Sequence, residues 1–194
     1  MSEFISALAG GLIALIGVWL QFRKEDRDKR IDYENDIKSM IDLIVYKVAR
    51  IRNTKLDEDT AFLNKKFTTE IYYNIEQDFK SLDEQVQDLI TNMSHHTNES
   101  NELIQDMLKR FEPLEIQFNK FKVAFKIYDE IYEDKKDKRT SIVGSKINLD
   151  KEVYEFTQKM RNFARKNYNH KIFEPKLKSH EEIKSKNNYA MNDK

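Results

Sequence analysis

The residues of this chain that could do chemistry are few and poorly spaced for it. The four histidines are His95, His96, His170 and His180. Adjacent His95 and His96 point to different sides of a helix or sit in a polar joint, and no HExxH spacing for zinc exists. Cysteine is absent, which removes thiolate ligands, disulfides and thiol nucleophiles and suits a reducing compartment. Carboxylate pairs such as Asp83 with Glu84 and Glu130 with Asp134 are expected on solvated helix faces, since charged residues make up 35% of the chain. Three of the four glycines, Gly10, Gly11 and Gly17, lie in one apolar run, leaving Gly144 alone, so no phosphate-cradling loop is available. The expectation is a protein without catalytic residues, cofactor or metal.

Two further patterns invite a functional reading and receive a plainer one. Asn92-Met93-Ser94 and Asn98-Glu99-Ser100 are glycosylation sequons, read as chance because the topology below keeps them out of a secretory lumen. The aromatic stripe Phe111, Phe118, Phe121, Phe125, Tyr128 and Tyr132 resembles a ligand groove, but its helical spacing makes it bundle core.

The most informative stretch is residues 4–22, FISALAGGLIALIGVWLQF, nineteen positions without a charge. At ~1.5 Å per residue they make a helix of about 28 Å, matching the ~30 Å hydrocarbon core of a bilayer. A signal peptide needs basic residues before the run and small residues after it, and neither is present. Arg23, Lys24, Arg27, Lys29 and Arg30 follow, and no Lys or Arg precedes it, so the positive-inside rule sets the N-terminus outside and the rest in the cytoplasm. Trp19, Arg23, Lys24 and Arg27 are the expected interface residues, the indole lying where ring and N–H meet different media. Ala7, Gly10, Gly11, Ala14 and Gly17 recur at three- and four-residue steps, a stripe on which a second helix could pack, so a homo-oligomer or another protein is an expected partner beside the lipid bilayer.

Residues 23–194 are strongly charged and contain only Pro113, Pro175 and Gly144 as helix breakers, too few for a turn-rich sheet fold. Four apolar seams appear: Ile37, Ile41, Ile44, Val48, Ile51; Phe67, Ile71, Ile75, Phe79, Leu82, Val86, Leu89, Met93; Ile104, Leu108, Phe111, Leu114, Phe118, Phe121, Phe125, Tyr128, Tyr132; and Leu149, Val153, Phe156, Met160, Phe163. Their four–three spacing is that of a heptad, and each needs a partner. The predicted fold is all-α: a single transmembrane helix (1–22) continuing into an antiparallel three- to four-helix coiled-coil-like bundle (23–174), then a basic tail (175–194) too poor in apolar residues to fold.

The boundaries follow from caps and breakers. Helix one runs to about Asn53, helix two starts near Asp59 or Thr60, and residues 94–98 form a polar joint. Pro113 is expected to kink the third helix without ending it. Residues 135–148 are expected to form the longest irregular connection, and Ser81 to be an exposed serine inside an unbroken helix two.

The charges sum to zero but are unevenly placed. Residues 57–93 carry a balance of minus six and residues 159–194 one of plus six. Arg161, Arg165, Lys166, Lys171, Lys176 and Lys178 are the candidates for contact with anionic lipid or nucleic acid, with nucleic acid the weaker. An uncharged N-terminal span followed directly by a charged helix resembles the layout of small bacterial or phage single-pass proteins, which implies a membrane location and little more. The expected function is that of a membrane-tethered adaptor, sensor or regulatory partner. The alternatives are a membrane-active effector acting through assembly of its anchor and a membrane-attached nucleic-acid binder.

Overall fold

A computed structural model describes the backbone of residues 2–56, 65–95, 100–130 and 136–172; the side chains of residues 2–13, 100 and 136–140 lie outside the described residues. Among these residues four helices follow in order: α1 (Ser2–Asn53), α2 (Lys65–Ser94), α3 (Ser100–Glu130) and α4 (Lys136–Tyr168). The chain divides into two units, Met1–Lys38 and Ser39–Lys194.

In the second unit the helices pack against one another with the apolar seams inward. Ile41, Ile44, Val48 and Ile51 of α1 are buried, as are Ile71, Ile75, Phe79, Leu82, Val86, Leu89 and Met93 of α2. From α3 come Phe111, Leu114, Phe118, Phe121, Phe125 and Tyr128, and from α4 Leu149, Val153, Phe156, Met160 and Phe163. Each fully buried large side chain contributes about 1.5–3 kcal/mol, far more than helix propensity alone.

Cross-helix contacts set the directions. Lys47 Nζ donates to Ser81 Oγ and Arg50 pairs with Asp78 at 3.0 Å, while Asn92 Nδ2 approaches Met40 Sδ, so α1 and α2 are antiparallel. Lys65 pairs with Asp129 at 3.1 Å and Lys122 with Glu76 at 3.2 Å, which makes α2 and α3 antiparallel. Along that seam the aromatic residues stack: Tyr72 on Phe125 with centroids 3.7 Å apart, and Phe79 on Phe118 at 3.8 Å. Arg52 lies over Tyr154 and His170 meets Asp42, so α4 runs back along α1.

Several sequence expectations change. Residues 136–148 are helical, not an irregular connection: Ile142 and Val143 are buried, as is Lys146 one turn on, extending the α4 seam N-terminally through Gly144. Tertiary burial outweighs the ~1 kcal/mol penalty of a helical glycine. Phe67 and Leu108, expected in the seams, are 48% and 38% exposed; Thr68 and Met107, one residue away, take the buried positions. Ser81 is half-buried and accepts from Lys47, because α1 lies against that side of α2. The helix passes through Pro113, as expected. The predicted start of helix two at Asp59 or Thr60, Tyr132 and the tail 175–194 lie outside the described residues.

Helix ends are closed locally. Thr54 caps α1, its N–H and hydroxyl both reaching the Arg50 carbonyl at 3.2 and 3.1 Å. Beyond α4, Asn169 turns at φ 47°, a left-handed value asparagine tolerates, and the His170 N–H returns to the Ala164 carbonyl at 3.1 Å. That turn lays His170 and the buried Ile172 back onto the bundle. No helix among the described residues is long and apolar enough to cross a membrane; of the uncharged run 4–22, the side chains are described from Ala14 onward.

Candidate interaction surfaces

In the first unit, α1 presents large apolar side chains outward. Leu15 is 68% exposed and Phe22 61%, and Ile16, Val18, Trp19 and Leu20 are each at least half exposed. Ordinary surfaces carry such residues singly; six within eight positions is an apolar collar. At its C-terminal edge the Arg23 guanidinium lies over the Trp19 ring, 4.6 Å from its centroid. Lys24 beside it and Arg27 one turn on are exposed. The charged stretch that follows holds its own helix with i,i+4 contacts, Gln21 to Glu25 and Arg30 to Glu34. Of the small residues proposed for self-association, Ala14 is exposed and a Cβ added at Gly17 would meet nothing within 4 Å; Ala7, Gly10 and Gly11 lie outside the described residues.

Among the described residues the second unit holds a buried ionic group. Lys146, 1% exposed, donates to Asp150 Oδ1 at 2.6 Å, one turn along α4. Arg52 of α1, also buried, sits with its guanidinium 5.2 Å from the Tyr154 ring centroid. Burial pushes the Lys146 ammonium below the ordinary lysine value and the Asp150 carboxyl above the ordinary aspartate value; the attraction between them opposes both shifts without cancelling either. Lys146 and Asp150 stand at the i,i+4 spacing of an ordinary exposed helix pair, so the sequence carried no sign of their burial. Burial and the hydrogen bond to Glu76 at 3.0 Å also raise the Tyr72 hydroxyl.

The basic residues separate by environment. Arg165, Lys166 and Lys171 are exposed, Arg161 is half-buried, and Lys176 and Lys178 lie outside the described residues. Arg110, on α3, reaches the Lys159 carbonyl at 3.3 Å and Asp106 at 2.6 Å.

Lys47 and Ser81 are a Lys–Ser contact, but both sit mid-helix, where backbone N–H groups are engaged and cannot form an oxyanion hole. An open groove of about 350 Å³ is lined by Asn101, Glu102, Gln105, Asp106 and Lys109, all from the first turns of α3 alone. Among the described residues no group of three or more His, Asp or Glu could hold a metal ion. No family model matches the chain, and neither a curated protein nor a solved structure does.

Proposed function

We propose that this chain is a membrane-tethered helical interaction protein without catalytic activity, its N-terminal helix lodged in the bilayer and its bundle on the cytoplasmic side as an adaptor, sensor or regulatory partner. The observation that carries this reading is the apolar collar, Leu15 to Phe22, exposed on most sides of α1 and flanked by Arg23 over Trp19. Water disfavours such a collar, whereas hydrocarbon accepts it, with the indole and guanidinium at the polar boundary. The uncharged residues 4–13 extend the same helix toward the N-terminus and bring the run to a bilayer-spanning length. The excess of Lys and Arg after the run supports the cytoplasmic assignment.

The test is flotation of the full-length chain with lipid vesicles, together with protease protection in whole cells. Co-flotation that resists carbonate washing and a bundle protected from external protease support the reading. A chain that stays in the aqueous fraction without detergent, or a bundle digested from outside, sinks it.

A second reading, an effector that assembles its anchors and permeabilises the membrane, draws on the open space beside Gly17. Rapid loss of membrane potential on expression, abolished by Gly17→Leu, would favour it over the adaptor.

A further inference from the structure

The end of the bundle at which α1 enters the second unit is also the end at which α4 finishes. Met40 meets Asn92 at the close of α2, and Asp42 holds His170, both carboxylate oxygens 3.0 Å from Nε2. Residues 156–172 contain Lys159, Arg161, Arg165, Lys166 and Lys171 and no Asp or Glu. Arg165, Lys166 and Lys171 are exposed, and none of the three pairs with a carboxylate among the described residues. Two acids that other helices bring to this region are already engaged, Asp42 by His170 and Asp106 by Arg110. The helix dipole accounts for basic residues in the last turn of α4. It does not account for Lys171, beyond the helix end, or for seventeen residues without a single acid.

We propose that Arg165, Lys166 and Lys171 form a docking surface for anionic phospholipid headgroups. This rests on the tethering reading above: residues 23–38, about 24 Å long as helix at ~1.5 Å per residue, link this end of the bundle to the apolar run, so the tether holds these cations within that length of the bilayer surface and docking closes the distance. Each Lys or Arg near an anionic leaflet strengthens association about fivefold, so three give a gain on the order of a hundredfold, reduced by salt. A single-stranded nucleic acid would want exposed aromatic faces beside the cations. Here Tyr168 is half-buried against Phe163, centroids 5.9 Å apart, and Phe163 is 1% exposed.

The chain has no cysteine, so Asn162→Cys on the full-length protein places one fluorescent label on an exposed position among these cations. The protein is reconstituted into vesicles of phosphatidylcholine alone or rich in phosphatidylserine, and quenching of the label by aqueous iodide is measured, with Gln77→Cys on α2 as reference. The expected result is a several-fold drop in quenching at Asn162 in the anionic vesicles only. High salt reverses it, and Arg165→Glu, Lys166→Glu and Lys171→Glu together abolish it with helix content unchanged; the salt arm stands even if that variant misfolds. Equal quenching in both lipids, with the protein still floating, overturns headgroup docking and leaves tethering intact. Failure to float overturns tethering and this proposal with it. Protection by a single-stranded oligonucleotide but not by anionic vesicles reassigns the surface and overturns the lipid assignment.

Discussion

Lys146 and Asp150 meet at 2.6 Å across one turn of α4, with the ammonium 1% exposed. Buried pairs of this kind lose most of their attraction to desolvation, so their removal and their breakage have opposite consequences. Asp150→Ala, which strands the ammonium, is expected to destabilise the bundle by about 3–5 kcal/mol in chemical denaturation. The double variant Lys146→Met with Asp150→Leu is expected to be neutral or more stable. Equal loss in both would show that the pair itself stabilises the fold.

The same pair gives the molecule a pH signature. Burial holds the Lys146 value below 10.5, so the unfolded chain binds that proton more tightly than the folded one. Stability should therefore rise with pH between the lowered folded value and 10.5, where the unfolded lysine titrates. Asp150, raised by burial above 3.8, acts in the opposite direction, its contribution rising as pH falls through the folded value toward 3.8. Urea denaturation of Lys146→Met at pH values below 10.5 should lack the first slope; its persistence would exclude Lys146 as the source.

Gly144 occupies the interior of α4, and an added Cβ there meets nothing within 4 Å. Gly144→Ala is expected to raise stability by about 0.5–1 kcal/mol, through helix propensity and a less flexible unfolded chain. A fall in the thermal midpoint would mean the position is needed for something other than helix formation.

Tyr72 stacks on Phe125 and donates to Glu76. Tyr72→Phe keeps the ring and drops the hydroxyl, with an expected loss of about 0.5–1.5 kcal/mol. Tyr72→Ala opens a cavity between α2 and α3 and should cost about 3–5 kcal/mol. If calorimetry finds the two equal, the stacking contributes nothing beyond the hydrogen bond.

Ile16 projects from the apolar collar. Under the tethering reading, Ile16→Asp opposes insertion by about 2–3 kcal/mol and shifts the chain out of the floating fraction, without altering denaturation of the bundle. Unchanged flotation would place the collar outside the hydrocarbon.

The sequence by itself determined the helical class and most of the core, because heptad spacing and scarce glycine and proline are properties of local chemistry that any packing must respect. Ile41 to Ile51, Ile71 to Met93 and Leu149 to Phe163 are buried at the positions their spacing predicts. Only the tertiary structure decided the rest. Residues 136–148, read locally as a connection, become helix because Ile142, Val143 and Lys146 find cover. Phe67 and Leu108 yield the core to Thr68 and Met107, since seam edges are set by where the neighbouring helix lies. The Lys47–Ser81 bond and the His170–Asp42 closure join groups whose meeting depends on helix direction, and the desolvation of the i,i+4 pair Lys146–Asp150 depends on what packs over it. Spacing along one helix fixes which side faces inward; which charges are then desolvated is fixed by the helices packed against it.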